Sequence, residues 1–268
     1  MATPGQFVWH ELMTRNVEAA MKFYEAVVGW KYTDWEGDTD TPYVMMSRNG
    51  DPKSSLGGIM LMQEPEFPDK LPSHFMGYVS VDNADVTVER VKELGGSVVH
   101  GPADIPKVGR FAILEDPLGL VFAVLQSLNN EWEQKPAHIG EVAWCENAST
   151  DHLKAYDFYS KLFGWQIERE MDASKGLAYI VLTSPGSPSE GPSGFGGLYT
   201  APEQMPGPKG WWYFFAVKDI NAALQAVKDN GGTVFMGPMD VHTGERVAWA
   251  ADAEGTAFGL TTMTGPKE

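Results

Sequence analysis

Two glutamates carry the chemistry that the sequence suggests first. Glu11 follows Trp9 by two residues in FVWHELM, and Glu146 follows Trp144 by two in GEVAWCE. Both stretches read as short strands, and residues two apart on a strand share a face. Each glutamate is therefore expected beside a tryptophan. A carboxylate in apolar surroundings is costly unless it is paired or hydrogen-bonded. Burial also raises its pKa, toward the range of a general acid or base. Two roles stay open: an acid or base that meets a ligand, or a structural acid tied by hydrogen bonds to an adjacent module. Arg110 and Arg246 are candidate partners, with a solvated strand start as their alternative.

The two glutamates are related by a repeat. An offset of 135 residues takes Trp9 to Trp144, Glu11 to Glu146, Phe23-Tyr24 to Phe158-Tyr159 and Gly29-Trp30 to Gly164-Trp165. Further on the offset is 136, taking Gly95-Gly96 to Gly231-Gly232, Gly101-Pro102 to Gly237-Pro238, Arg110 to Arg246 and Asp116 to Asp252. The chain thus reads as two related domains, 1–133 and 138–268, joined by the polar, Pro-containing segment EWEQKPAH.

Within each half the elements repeat again. After the first strand, Val17, Ala20, Met21, Tyr24, Val27 and Val28 form one apolar helical stripe. Asn16 is placed as its N-cap and Gly29 as its C′ residue, with Asp151 and Gly164 in the equivalent places. The Tyr is expected to pack inward, and the Trp to begin the next strand. TPYVMMS and LGGIMLM, then LAYIVLT and GGLYT, read as strands. The pattern restarts with the strand HFMGYVSV, the helix NADVTVERVKELGG and three strands, SVVHGP, RFAILED and LVFAVLQ. Asp116-Pro117-Leu118-Gly119 and Asp252-Ala253-Glu254-Gly255 have the composition of type I turns joining hairpins. The result is an α+β chain of four βαβββ modules.

Composition narrows the function classes. With 43% hydrophobic residues in 268, the chain can bury a real core. No apolar run approaches a bilayer span, and WWYFFAV (211–217) reads as a buried strand. MATPGQFVWHEL has no signal-peptide pattern, and the one cysteine, Cys145, fits a reducing cytoplasm. The net charge of −16 argues against nucleic acid and anionic membrane as partners. No Walker-type loop, dinucleotide fingerprint or Gly-x-Ser-x-Gly elbow is found.

Four βαβββ modules with FYxxxxGW helix ends, GGxV-x-x-GP segments and a D-P-x-G turn before the last strand resemble the vicinal oxygen chelate superfamily. It contains glyoxalase I, fosfomycin- and bleomycin-resistance proteins and extradiol dioxygenases. VGRFAILEDPLGLVFAVL and WHELMTRNVEAAMKFYEAVVGW are most similar to a two-domain, glyoxalase-like subgroup. That subgroup includes a mycobacterial culture-filtrate antigen and proteins labelled as hydroxylases. The resemblance implies two tandem half-barrels whose concave faces hold a small-molecule ligand. It also implies where a divalent metal would sit: Trp9, Met76 and Ala123 in the first half, and Trp144, Trp212 and Gly259 in the second. None of these offers the oxygen or nitrogen donor that such an ion needs. No cofactor is therefore expected. The alternative is a displaced site using His10 and His74, which requires a bulge in the strand. The remaining histidines, His100, His138, His152 and His242, show no ligand spacing and are expected on the surface or in loops.

Large apolar groups take the vacant places. Trp9, Glu11, Met76, Tyr78, Trp144, Glu146, Trp212 and Phe214 are the expected ligand-binding residues, for a planar or cationic molecule held by stacking and cation–π contacts. Core packing is the alternative for the tryptophans. Trp35, in the acidic DWEGDTD, belongs to a solvated loop or a lid. Two functions follow from the resemblance: a metal-independent small-molecule-binding protein, or an enzyme of lyase, isomerase or oxygenase type. The enzyme would use Glu11 or Glu146 as base, with Arg, Tyr24 or Tyr78 stabilising charge. Since a tandem chain can complete internally what single-domain relatives complete by pairing, a monomer is expected, with a homodimer as alternative.

Overall fold

A computed structural model describes residues 4–37, 42–65, 67–128, 137–172, 177–185, 187 and 194–263. Most of EWEQKPAH and the end of DWEGDTD lie outside the described residues. The elements fall into the four expected modules. The first holds β1 (Phe7–Thr14), α1 (Val17–Val28), β2 (Lys31–Asp34), β3 (Tyr43–Ser47) and β4 (Ser55–Leu61). The second holds β5 (His74–Ser80), α2 (Ala84–Glu93), β6 (Ser97–Ile105), β7 (Gly109–Glu115) and β8 (Val121–Ser127). The third holds β9 (Val142–Ser149), α3 (His152–Phe163), β10 (Gln166–Asp172), β11 (Ala178–Thr183) and β12 (Gly196–Thr200). The fourth holds β13 (Gly210–Ala216), α4 (Ile220–Asp229), β14 (Thr233–Asp240), β15 (Arg246–Ala251) and β16 (Ala257–Thr261).

Each half builds one eight-stranded sheet. The orders are β2-β3-β4-β1-β5-β8-β7-β6 and β10-β11-β12-β9-β13-β16-β15-β14. Within each module the first and last strands pair in parallel and the others antiparallel. Helix ends follow the sequence. The Asn16 side chain accepts from Ala19 N, and Gly29 ends α1 at φ 86°. Asp151 accepts from Leu153 N and Lys154 N, and Gly164 ends α3 at φ 73°. Phe23 joins the buried face of α1, whereas Val17 and Met21 stay half-buried.

Packing divides the chain into two compact units. One comprises Met1–Trp9, Met76–Lys135 and Trp144–Trp211; the other comprises His10–Phe75, Pro136–Ala143 and Trp212–Glu268. The first unit's core joins modules two and three: Val79, Phe122 and Val124 meet Phe158, Tyr159 and Leu198. In it Tyr159 Oη donates to Asp116 at 2.9 Å. Asp116 also accepts from Leu118 N and Leu120 N, so it shapes the hairpin turn and anchors the helix at once. The second unit's core joins modules one and four in the same way. Tyr24 Oη donates to Asp252 at 3.1 Å. Trp30 packs edge-on to Phe215 with ring centroids 4.9 Å apart and donates to Gly140 O. The FYxxxxGW phrase is thus a core device: Gly ends the helix, and Tyr and Trp each carry a buried hydrogen bond. Trp30 and Trp165 stand just before β2 and β10 rather than within them.

Candidate functional site

Strand register separates the two faces of each module. In the second unit, Leu12 of β1 lies opposite Ile59 of β4, and both are fully buried against the helix side. The neighbouring row runs Glu11–Gly58–Met45–Thr33 across β1, β4, β3 and β2. Residues directly opposite in a ladder point the same way, so this row faces away from the helices. In the first unit the matching row is Glu146–Gly197–Val181–Arg169, across β9, β12, β11 and β10.

Each glutamate meets a tyrosine. Tyr43 Oη donates to Glu11 Oε1 at 2.9 Å. Tyr179 Oη donates to Glu146 Oε1 at 2.8 Å and accepts from Trp144 Nε1 at 2.8 Å. The second arrangement is a chain, indole to phenol to carboxylate, that fixes all three groups. Tyr199 stacks on Tyr179 with centroids 5.9 Å apart and 15° between planes. Burial, helped by the charge of Glu146, raises the pKa of both Tyr179 and Tyr199, so both are protonated donors. Glycine makes the pair fit. A Cβ on Gly58 would stand 2.1 Å from Tyr43 Oη, and one on Gly197 would stand 2.2 Å from the Tyr179 ring.

Tyr43 and Tyr179 were missed by reading the sequence alone, although an offset of 136 residues relates them. The double glycine of LGGIMLM and FGGLYT was the available signal, because it removes side chains beside a buried acid.

The remaining expected residues take the same face. In the first unit, Tyr78 pairs with Ala123 while Val79, Phe122 and Val124 face the core. Met76, two residues before Tyr78, shares its face, and both are buried. In the second unit, Phe214 pairs with Gly259, and Gly259 with Trp249. Trp212, Phe214 and Trp249 are all buried, and a Cβ on Gly259 would stand 2.2 Å from the Phe214 ring. Trp144 is half-buried, as is Trp9. In the first unit, a depression of about 380 Å³ includes His152, Glu170, Met171, Asp172 and Tyr179 in its lining.

Several other candidates are engaged elsewhere. Tyr24 belongs to the core through Asp252. Arg110 pairs with Asp85 and Asp104, each at 2.8 to 2.9 Å, and Arg246 with Asp240 at 3.5 Å. His10 lies on the helix-side face, its ring edge-on to Tyr213 at 5.0 Å. β1 pairs in unbroken register from His10 to Thr14, so no bulge turns it round. His74 Nδ1 lies 2.8 Å from Pro72 O. His100 is on the surface, as expected, on β6 and stacked on Phe111. Trp35 packs edge-on to Tyr43 at 5.7 Å.

The donor set does not suit a divalent ion. Tryptophan, methionine, alanine and glycine fill the six positions that the resemblance marks, and the Phe214 ring leaves no space for a longer side chain at Gly259. Among the described residues, no three of His, Cys, Asp and Glu come together to hold a metal.

Paired βαβββ modules with an acid–tyrosine pair on an aromatic sheet face define a tandem glyoxalase-like protein. The chain belongs to the Glyoxalase/Bleomycin resistance protein/Dioxygenase superfamily, whose profile matches residues 6–124 and again 141–260. It is 42% identical over 122 residues to CFP32 of Mycobacterium tuberculosis, provisionally named a glyoxylase; that match spans 46% of this chain and 44% of the relative. It is 26% identical over 267 residues to the anthracycline biosynthesis protein DnrV of Streptomyces peucetius, spanning 97% of this chain and 94% of the relative. The fold matches 2,2',3-trihydroxybiphenyl 1,2-dioxygenase of Sphingomonas wittichii at TM-score 0.65 and 15% identity, covering 97% of this chain and 91% of that one. It also matches the Mn(II)-bound glyoxalase of Novosphingobium aromaticivorans at TM-score 0.64 and 13% identity, covering 98% and 83%.

Proposed function

We propose that the protein binds a planar, aromatic small molecule on the sheet faces that carry Glu11 and Glu146, and that it does so without a metal. The observation that carries this reading is the duplicated glutamate–tyrosine pair on an aromatic face whose metal positions hold non-ligating side chains. Aromatic walls favour flat ligands through offset stacking and edge contacts. The full-length similarity to a protein named for anthracycline biosynthesis points to the same ligand class. The net charge of −16 favours a neutral or cationic ligand over nucleic acid or anionic membrane. No described helix is long and apolar enough to cross a membrane. Domains 1–133 and 138–268, a monomeric or homodimeric state and a cytoplasmic location belong to this proposal.

A second reading, catalysis by a lyase, isomerase or oxygenase, draws on the Trp144–Tyr179–Glu146 chain. A carboxylate whose donor is itself fixed is oriented as a general base would be.

Thermal unfolding in the presence of EDTA tests the binding reading. Flat aromatic compounds are expected to raise the melting temperature, because a ligand bound only to the folded state stabilises it. Elemental analysis is expected to find no stoichiometric metal. A stoichiometric ion whose removal lowers the melting temperature would overturn metal independence. Failure of every flat aromatic to stabilise the chain would overturn the ligand class.

A further inference from the structure

The second unit contains a buried indole N–H with no partner among the described residues. Trp249 lies on β15 with 8% of its surface exposed. Its Nε1 is closed to solvent and has no hydrogen-bond partner among the described residues. Buried donors are nearly always satisfied, and one left alone costs much of its hydration. The position is also informative. Phe214, Gly259 and Trp249 are joined in one row by direct pairing, with Trp212 two residues from Phe214 on the same face. The Phe214 ring stands edge-on to Trp249, with centroids 5.3 Å apart and 90° between planes, and it lies across Gly259. Because Gly259 has no side chain, the Phe214 ring covers its backbone, and a ligand that displaced this ring would meet a flat strip beside the Trp249 and Trp212 indoles. A planar molecule entering there would stack on the rings and bring an acceptor to the indole N–H.

We infer that Trp249 Nε1 is a recognition donor: it selects, among planar aromatic ligands, those bearing a ring carbonyl or equivalent oxygen acceptor. This inference rests on the proposed aromatic-ligand function and adds the group that the ligand must carry. It also makes the two repeats unequal. In the first unit the matching row is Tyr78–Ala123–Ile113, and Ile113 has no side-chain N–H.

The test uses the full chain and two neutral probes of one shape, 2-(hydroxymethyl)anthraquinone and 2-(hydroxymethyl)anthracene, which differ by the quinone oxygens. Calorimetric titration of the wild type is expected to favour the quinone. Trp249→Phe is expected to weaken the quinone about tenfold more than it weakens anthracene, that difference being the worth of one hydrogen bond; an equal loss for both probes overturns the donor role. Equal binding of both probes by the wild type, or quinone affinity untouched in Trp249→Phe, overturns the donor role and leaves the aromatic-ligand function standing. Binding of neither probe overturns both. If the Phe variant fails to fold, benzothienylalanine at position 249 repeats the comparison, with sulfur in place of the N–H and the same ring outline.

Discussion

Leu12 and Asn147 occupy the same place in the two repeats, and both are fully buried on the helix-side face. Leu12 lies opposite Ile59, and Asn147 opposite Leu198. The apolar neighbourhood is preserved and the side chain is not. Neither amide atom of Asn147 has a hydrogen-bond partner among the described residues. An unmet buried polar group costs about 1–3 kcal/mol, whereas an apolar group of similar shape costs nothing of this kind. Asn147→Leu is therefore expected to raise stability by about 1–3 kcal/mol, read as a higher urea midpoint at unchanged slope. A lower midpoint would show that the amide is met by an internal water, as buried polar sites often are. Asn147 directly follows Glu146 but faces the other way. Its substitution should leave ligand affinity alone, while Glu146→Gln should change it.

At the scale of elements, the glycine pairs hold the site together. Gly57 lets β4 pass His10 O, which a Cβ would approach to 2.0 Å, and Gly58 makes room for Tyr43 over Glu11. Gly58→Ala pushes a methyl group into a ring, and overpacking of this kind costs about 1–3 kcal/mol. The same change in a Tyr43→Val background should cost clearly less, because the obstructing ring is gone. A double-mutant cycle measured by urea unfolding reads the difference, and full additivity would show that Gly58 and Tyr43 are not coupled. These elements also show what the sequence could convey. Helix ends, hairpin turns and the four modules were legible because each depends on local signals: Asn16 and Asp151 as caps, Gly29 and Gly164 as stops, Asp116 and Asp252 as turn formers. Strand alternation likewise put Glu11 beside Trp9. Tyr43 was not legible. A tyrosine opening a strand is an ordinary β-former, and its bond to Glu11 depends on the register of three strands distant in sequence. The core partners were equally hidden. A repeat tells that Tyr24 and Tyr159 are equivalent, but not that Tyr24 meets Asp252 and Tyr159 meets Asp116.

For the whole molecule, the response to acid tests whether His10 is a structural group. Burial pushes its pKa down to about 3. The residue is half-buried overall, but its Nε2 is closed to solvent, so the imidazole is neutral in the folded chain. In the unfolded chain it titrates at the ordinary imidazole value of 6.5. Between those values the unfolded state binds a proton that the folded state does not, so stability falls as pH drops from 6.5 toward 3. The slope approaches about 1.4 kcal/mol per pH unit for one such group. His74, also lowered by burial, acts in the same direction. Asp116 and Asp252 act oppositely: burial raises their pKa, so the folded chain takes up their protons first. The relief of the −16 net charge on acidification is common to all variants. The second repeat supplies the control, since Cys145 stands buried in the place of His10. His10→Cys is expected to keep the fold and to flatten the loss of urea stability between about pH 6.5 and about pH 4.5. A wild-type slope retained in full by His10→Cys would mean that the imidazole is protonated in the folded state, and it would return His10 to the list of candidate ligands.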